Sequence, residues 1–249
     1  MTNPSTASPN EIDKFIAIAD AWWDPNGDFA PLHRLNPVRL KFIRDHLCNH
    51  FSRDPLASKP LDGLNIIDIG CGGGILAEPI ARLGGTITGI DAGLENINIA
   101  RHHAQIGGLN INYLHKLPED LCSHKGLYDA VLNMEVIEHV ADLDAFLMAT
   151  SKLINPGGVM VLSTLNRTWK SLALAKIGAE YVLRWLPIGT HDWRKFVRPS
   201  ELAAGLAAKN VEVTDLKGLT YRPFDDDWGL SKDLAINYLA FGVKKATDR

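Results

Sequence analysis

Asp91 ends the run Thr88-Gly89-Ile90-Asp91, which follows a glycine turn, Gly70-Cys71-Gly72-Gly73-Gly74, by about twenty residues, the spacing at which nucleoside sites place an acid. A carboxylate at a strand tip there can accept hydrogen bonds from both hydroxyls of a ribose. Its alternative use is as the N-cap of a helix starting near Leu94, but the position after a glycine loop favours the ribose. Ile66, Ile67 and Ile69 read as a buried parallel strand emptying into the turn, whose glycines permit a sharp reversal and close backbone approach to a ligand. A dinucleotide fingerprint would need a glycine where Ile75 stands, and nothing like Gly-Lys-Ser follows Gly74, so a pyrophosphate ligand is disfavoured. Asp68, inside the strand end, reads as the organiser of the turn, with the turn amides as its donors.

A second constellation is Glu135, Glu138 and His139, in Met134-Glu135-Val136-Ile137-Glu138-His139. On a helical turn the spacing i, i+3, i+4 would bring all three side chains to one face. Two carboxylates and an imidazole can hold a hard divalent cation such as magnesium, although histidine is not its preferred ligand. The competing reading is a metal-free loop that these residues orient.

These residues need a frame, and from Leu64 the pattern alternates. Strands are predicted at Leu64–Ile69, Thr86–Ile90, Ile111–Leu114, Tyr128–Asn133 and Val159–Thr164. Helices are predicted at Ile75–Leu83, Leu94–Gln105 and Leu143–Leu153, the last stopped by Asn155-Pro156-Gly157-Gly158. Strand–helix alternation of this kind is an α/β fold, a mostly parallel sheet with helices on both faces, and the last strands are expected at Val211–Leu219 and Leu234–Val243. Residues 1–10, rich in Ser, Thr, Pro and Asn, read as a disordered lead to a single domain, 11–249. Its parts are a helical cap (11–55), with Pro37 near the first turn of the second helix, a cofactor-binding core (64–165), an insertion (166–199), and a final helix and strands (200–249).

Composition narrows the class further. With 249 residues, 46% of them apolar, and a net charge of −3, the chain gives no global reason to expect nucleic acid as a partner. Cys48, Cys71 and Cys122 are odd in number and lack C-x-x-C spacing, so neither a disulfide framework nor a zinc knuckle is expected, and a reducing cytoplasm fits. The first ten residues lack the charge and apolar core of a secretory or transit leader. No stretch approaches the length of a membrane span.

Strand-Asp-x-Gly-Cys-Gly-x-Gly with an acidic tip on the next strand resembles the class I S-adenosylmethionine-dependent methyltransferases. That resemblance implies a Rossmann-like, seven-stranded sheet, an adenosine cofactor without phosphates, and backbone around Gly70 and Gly72 contacting its methionine part. It also implies that the fourth-strand tip, Asn133-Met134, packs against the cofactor near its amino acid end and that Leu117-Pro118 walls the adenine. Five further stretches narrow it: Trp22-Trp23-Asp24, Pro31 to Arg39, Gly70 to Glu78, Ser163 to Arg167 and Gly189-Thr190-His191-Asp192. In this order, over nearly everything after Asn10, they resemble the ubiquinone biosynthesis O-methyltransferases. The family methylates phenolic hydroxyls of polyprenylated precursors, 2-polyprenyl-6-hydroxyphenol and 3-demethylubiquinol. By this resemblance Arg39 of the Asn-Pro-x-Arg motif reaches the cofactor carboxylate, for which a guanidinium is well shaped. Magnesium dependence is likewise implied, on Glu135, Glu138 and His139. A neutral phenol has a pKa of about 10, so it must be deprotonated to attack; His139 and His191 are the candidate bases. Other readings stay open: another small-molecule acceptor, a non-catalytic cofactor-binding regulator at the membrane and, more distantly, a nicotinamide oxidoreductase.

Within 166–199, Arg167, Lys170, Lys176, Arg184, Arg194, Lys195 and Arg198 face only Glu180 and Asp192, interleaved with Trp169, Leu172, Leu174, Ile177, Tyr181, Val182, Trp185 and Leu186. Periodicity alone describes a helical lid packed on the core. A polyprenyl acceptor, which stays in the bilayer, points instead to an anionic membrane surface as partner, with peripheral attachment at the inner face of the membrane. Other proteins of the ubiquinone pathway are further candidate partners.

Overall fold

Strands apolar on both faces can be buried only between two layers of helices, and the computed structural model has that arrangement. It describes residues 6, 8, 12, 22–27, 29–121, 127–173, 192–222 and 227–246. Strands β1 (Asn65–Ile69), β2 (Thr86–Asp91), β3 (Asn112–His115), β4 (Tyr128–Met134) and β5 (Ile154–Leu165) pair in parallel in the order 3-2-1-4-5. Three antiparallel strands, β6 (Val211–Arg222), β7 (Asp227–Ser231) and β8 (Asn237–Lys244), extend the sheet beyond β5 in the order 8-6-7. The connections reverse between β1 and β4, which is where open α/β sheets bind ligands, outside the carboxyl ends of the strands.

Successive residues of β1 serve opposite faces, as the two-residue repeat of a strand requires. Ile66 packs with Phe42, Ile43 and Leu47 of α1 (Ala30–His50), Ile80 of α2 (Ala77–Arg82) and Ile97 of α3 (Leu94–Ile106). Ile67 packs instead with Phe146 of α4 (Leu143–Leu153) and Leu202 of α5 (Pro199–Ala207). The start of α4 is fixed by Asp142, whose side chain accepts the amide of Ala145 at 3.0 Å.

Four expectations change. The sheet has eight strands, because the short, half-exposed β7, only five residues long, is added at the edge by pairing with β6. β5 begins at Ile154 and runs through Asn155-Pro156-Gly157-Gly158, the irregularity being absorbed by a register shift against β4 between Tyr128 and Ala130. Pro37 lies inside α1, which starts at Ala30, and the neighbouring Asn36 ties this turn to the Ile75 carbonyl at 2.9 Å. In the expected disordered lead, Thr6 is buried: its amide and hydroxyl donate to Glu119 at 2.7 and 2.9 Å, and its carbonyl accepts the amide of Ala141 at 2.8 Å.

Where the chain returns from the insertion, the buried hydroxyl of Tyr238 on β8 donates to the Val197 carbonyl at 3.0 Å. Removing it strands a buried acceptor, so Tyr238→Phe is expected to cost about 1–3 kcal/mol in urea unfolding. An unchanged midpoint would show that this bond contributes nothing.

Candidate active site

The glycine turn joins the tips of β1 and β2. The amides of Gly70 and Cys71 both donate to the Ile90 carbonyl, at 2.8 and 3.0 Å, and that of Gly72 donates to Asp91 Oδ2 at 3.0 Å. Gly70 and Gly72 have φ of +71° and +52°, a region costly for other residues. A Cβ on Gly72 would lie 2.4 Å from the Trp22 ring, and one on Gly70 would lie 2.6 Å from Val136. Glycine is therefore required by backbone shape and by close packing together.

Asp91 stands at the tip of β2 as expected, but it is less free than a ribose acceptor for two hydroxyls would be. Its Oδ1 accepts the Gly93 amide at 2.8 Å and the Asn96 side-chain amide at 3.0 Å, while Oδ2 accepts Gly72. A carboxylate has about four acceptor positions, so three are committed and one remains, on Oδ2. Burial raises the Asp91 pKa, opposed by these same three hydrogen bonds.

Because the turn amides go to the β2 tip, they do not reach Asp68, and its expected role as turn organiser is corrected. Asp68 is 2% exposed and its Oδ2 has no partner. Burial first, and the neighbouring Asp91 charge second, push the carboxyl up to about 7, against the pull of Arg39.

Arg39 is buried on α1 with Nη2 2.9 Å from Glu135 Oε1. The contact is an ion pair out of line with the N–H directions, so Nε and Nη2 of Arg39 keep free hydrogen-bonding capacity. Asn133 at the β4 tip is fully buried and neither amide atom has a partner. Met134, the last residue of β4, is half-buried and packs against the core.

The segment Glu135–His139 is a turn, not the expected helical face. Glu135 takes the left-handed conformation, φ 56°, held by its amide to the Ser163 carbonyl at 3.0 Å. The His139 amide closes the turn on Val136 at 2.9 Å. Burial would raise the Glu135 carboxyl, but the Arg39 charge, with the polar side chains of Ser163 and Glu138 beside it, outweighs burial and holds the group low. Glu138 moves the opposite way: burial and the repulsion of Glu135 push it well above the carboxylate range, and the Thr164 hydroxyl donates to it at 2.8 Å. The two form a carboxyl–carboxylate pair balanced by Arg39. They do not fit a magnesium site, and among the described residues no group of three His, Cys, Asp or Glu side chains could hold a metal ion. His191 lies outside the described residues.

Two contributors carried no individual expectation of a site role, Asn96 and Trp22, whereas Asn133 was expected beside the cofactor with Met134. The Trp22 indole donates to Asn96 Oδ1 at 2.9 Å. Only the Trp-Trp pair, as part of a shared motif, pointed toward either of them. Together, a guanidinium with free donors and a carboxyl with a free acceptor, beside a glycine turn, match the two charges of an α-amino acid. Asp91 at the next strand tip matches a ribose.

Residues 41–216 match the methyltransferase domain family. The chain is 51% identical to the ubiquinone biosynthesis O-methyltransferase of Paramagnetospirillum magneticum over 98% of each chain. It is 50% identical to that of Brucella anthropi, over 98% of this chain and 99% of the relative. Among solved structures, magnesium protoporphyrin IX methyltransferase from Synechocystis with bound SAH superposes with a TM-score of 0.63 at 18% identity, over 95% of each chain. A possible histamine N-methyltransferase from Thermotoga maritima gives 0.63 at 15% identity, over 95% of this chain and 99% of that one. At such identities these structures speak to the fold.

A folded-state pKa of about 7 at Asp68, raised above an unfolded value of about 3.9, is a stability statement. Its contribution is present below the unfolded value and lost as pH rises through the folded one. Cofactor-free wild-type protein is therefore expected to lose stability relative to Asp68→Asn between about pH 4 and pH 7. Urea unfolding at pH 5 and 8 checks this; a wild-type-to-variant difference that does not change with pH would contradict it.

Proposed function

The chain belongs to the ubiquinone biosynthesis O-methyltransferase family, and on that premise we propose that it methylates phenolic hydroxyls of polyprenylated precursors at both O-methylation steps of ubiquinone biosynthesis. The observation that carries the reading is the convergence, at the strand switch point, of buried polar atoms without partners on Arg39, Asp68 and Asn133. S-adenosylmethionine, when bound, supplies the electrophilic methyl on its sulfonium. Arg39 donates its free N–H groups to the cofactor carboxylate, and Asp68 accepts from the ammonium, which favours its ionised form. Gly70 and Gly72 allow the close approach, Met134 packs beside the methionine part, Leu117 and Pro118 wall the adenine, and Asp91 takes one ribose hydroxyl at Oδ2.

His139 is the base proposed to take the phenolic proton as the oxygen attacks, with His191 the second candidate; Glu138, neutral beside it, adds no charge to the site. Alignment of the acceptor oxygen behind the methyl and exclusion of water contribute much of the acceleration. Magnesium at Glu135, Glu138 and His139 would have to displace Arg39 from Glu135 and ionise Glu138.

The insertion supports a surface role. Trp169 is 77% exposed and its ring stacks on Trp193 at 5.5 Å, at the described ends of the basic segment. No helix among the described residues is long and apolar enough to cross a membrane. We place this edge against anionic lipid at the inner face of the membrane, where a polyprenyl acceptor is held, with other pathway proteins able to gather there.

The direct test is methyl transfer from labelled S-adenosylmethionine to a short-chain catechol. Product is expected with wild-type protein, and His139→Asn should lower kcat by about 10²–10⁴ and remove the acidic limb of the pH profile. A kcat within a few fold of wild type would leave the role to another base. Replacing Trp169 and Trp193 by Ala should weaken cosedimentation with anionic vesicles, and unchanged binding would remove this edge from the membrane contact.

A further inference from the structure

The Trp22 ring lies over the glycine turn, so that a Cβ on Gly73 would meet its Cγ at 2.5 Å, and Phe29 stacks on it at 3.8 Å and 10°. Its neighbour Trp23 donates to the Gly73 carbonyl at 2.9 Å. Two adjacent tryptophans from before α1 thus hold the turn. Trp23 continues to His103, on which its ring stacks at 3.4 Å, while Trp22 continues toward Asp91. Its indole N–H donates to Asn96 Oδ1 at 2.9 Å, and Asn96 Nδ2 donates to Asp91 Oδ1 at 3.0 Å.

This chain has one possible polarity. An indole N–H can only donate and a carboxylate can only accept, so the amide between them must turn its oxygen to Trp22 and its nitrogen to Asp91. Asn96 is 2% exposed, and the opposite orientation would leave buried donors facing donors and acceptors facing acceptors. Once Asn96 and Gly93 fill Oδ1, the acceptor position that remains on Asp91 lies on Oδ2. Trp22 therefore acts, through Asn96, on where Asp91 offers its lone pair.

We propose that Trp22 and Asn96 are positioning residues for the cofactor ribose, making the segment before α1 part of the nucleoside site through a Trp22–Asn96–Asp91 relay. The proposal rests on Asp91 holding the ribose. Coupling is reciprocal: a ribose on Asp91 stabilises the seat of Trp22 on the turn, and loss of that seat weakens the nucleoside.

Calorimetric titration with S-adenosylhomocysteine tests it. Trp22→Phe keeps a ring on Phe29 and removes only the N–H, so it should weaken binding about fivefold, and Asn96→Ala should weaken it about tenfold or more. Both effects should vanish in an Asp91→Ala background, which a merely structural role would not produce. In the wild type, S-adenosylhomocysteine should also slow solvent exchange of the Trp22 indole proton, and in Asp91→Ala it should not. Wild-type affinity in both single variants, or losses that persist undiminished without Asp91, would overturn the relay while leaving the cofactor site standing. Failure of the wild-type chain to bind S-adenosylhomocysteine would overturn the site and the relay together.

Discussion

The site depends on where three backbone amides point. Gly70, Cys71 and Gly72 direct their N–H groups to the end of β2, two to the Ile90 carbonyl and one to the Asp91 carboxylate. Buried amides must find acceptors, and satisfying these three at the neighbouring strand locks two strand tips into one unit. The left-handed φ values of Gly70 and Gly72 are what aim them there. Everything at the carboxyl edge of the sheet is arranged around that commitment.

One consequence is electrostatic. With the turn amides elsewhere, Oδ2 of the buried Asp68 is left without a partner and the carboxyl is pushed up to about 7. Arg39 acts on both that group and Glu135: it holds the Glu135 carboxyl low, while burial and the Glu135 charge push Glu138 well above the usual carboxylate range. Carboxylates this close divide their charge by environment rather than by residue type. The result is one buried cation serving two acids and retaining donors for a third, the carboxylate of an amino-acid-like ligand.

How much of this could be read from residue types follows the range of the interactions. The strands β1 to β5 of a mostly parallel sheet, the turn, and Asp91 at a strand tip rest on local periodicity and glycine spacing, and the structure has them; the order of the strands comes only from their pairing. The helical face expected of Glu135, Glu138 and His139 rested on spacing alone. It failed because the Glu135 amide is captured by Ser163 on the adjacent strand, which forces a positive φ. β7 exists only through pairing with β6, and Thr6 is fixed by Glu119, 113 positions away. Asn96 is a polar residue in the first turn of α3 that nothing in its spacing marks; its contact with Trp22 comes from 74 positions earlier in the chain. Long-range partners of this kind leave no periodic mark on the chain.

With Gly72, Gly93 and Asn96 in place, Asp91 keeps a single acceptor position, and this constraint can be measured. It is tested most directly by the affinities of S-adenosylhomocysteine and its 2′-deoxy and 3′-deoxy analogues for the wild type and Asp91→Ala. One analogue should bind the wild type about 10- to 100-fold more weakly, the worth of a hydrogen bond to a charged group, and lose that penalty in Asp91→Ala. The other analogue's penalty should be the same in both proteins. If removal of Asp91 abolishes the penalties of both analogues equally, Asp91 binds both hydroxyls, and the arrangement of amides described for the turn is wrong.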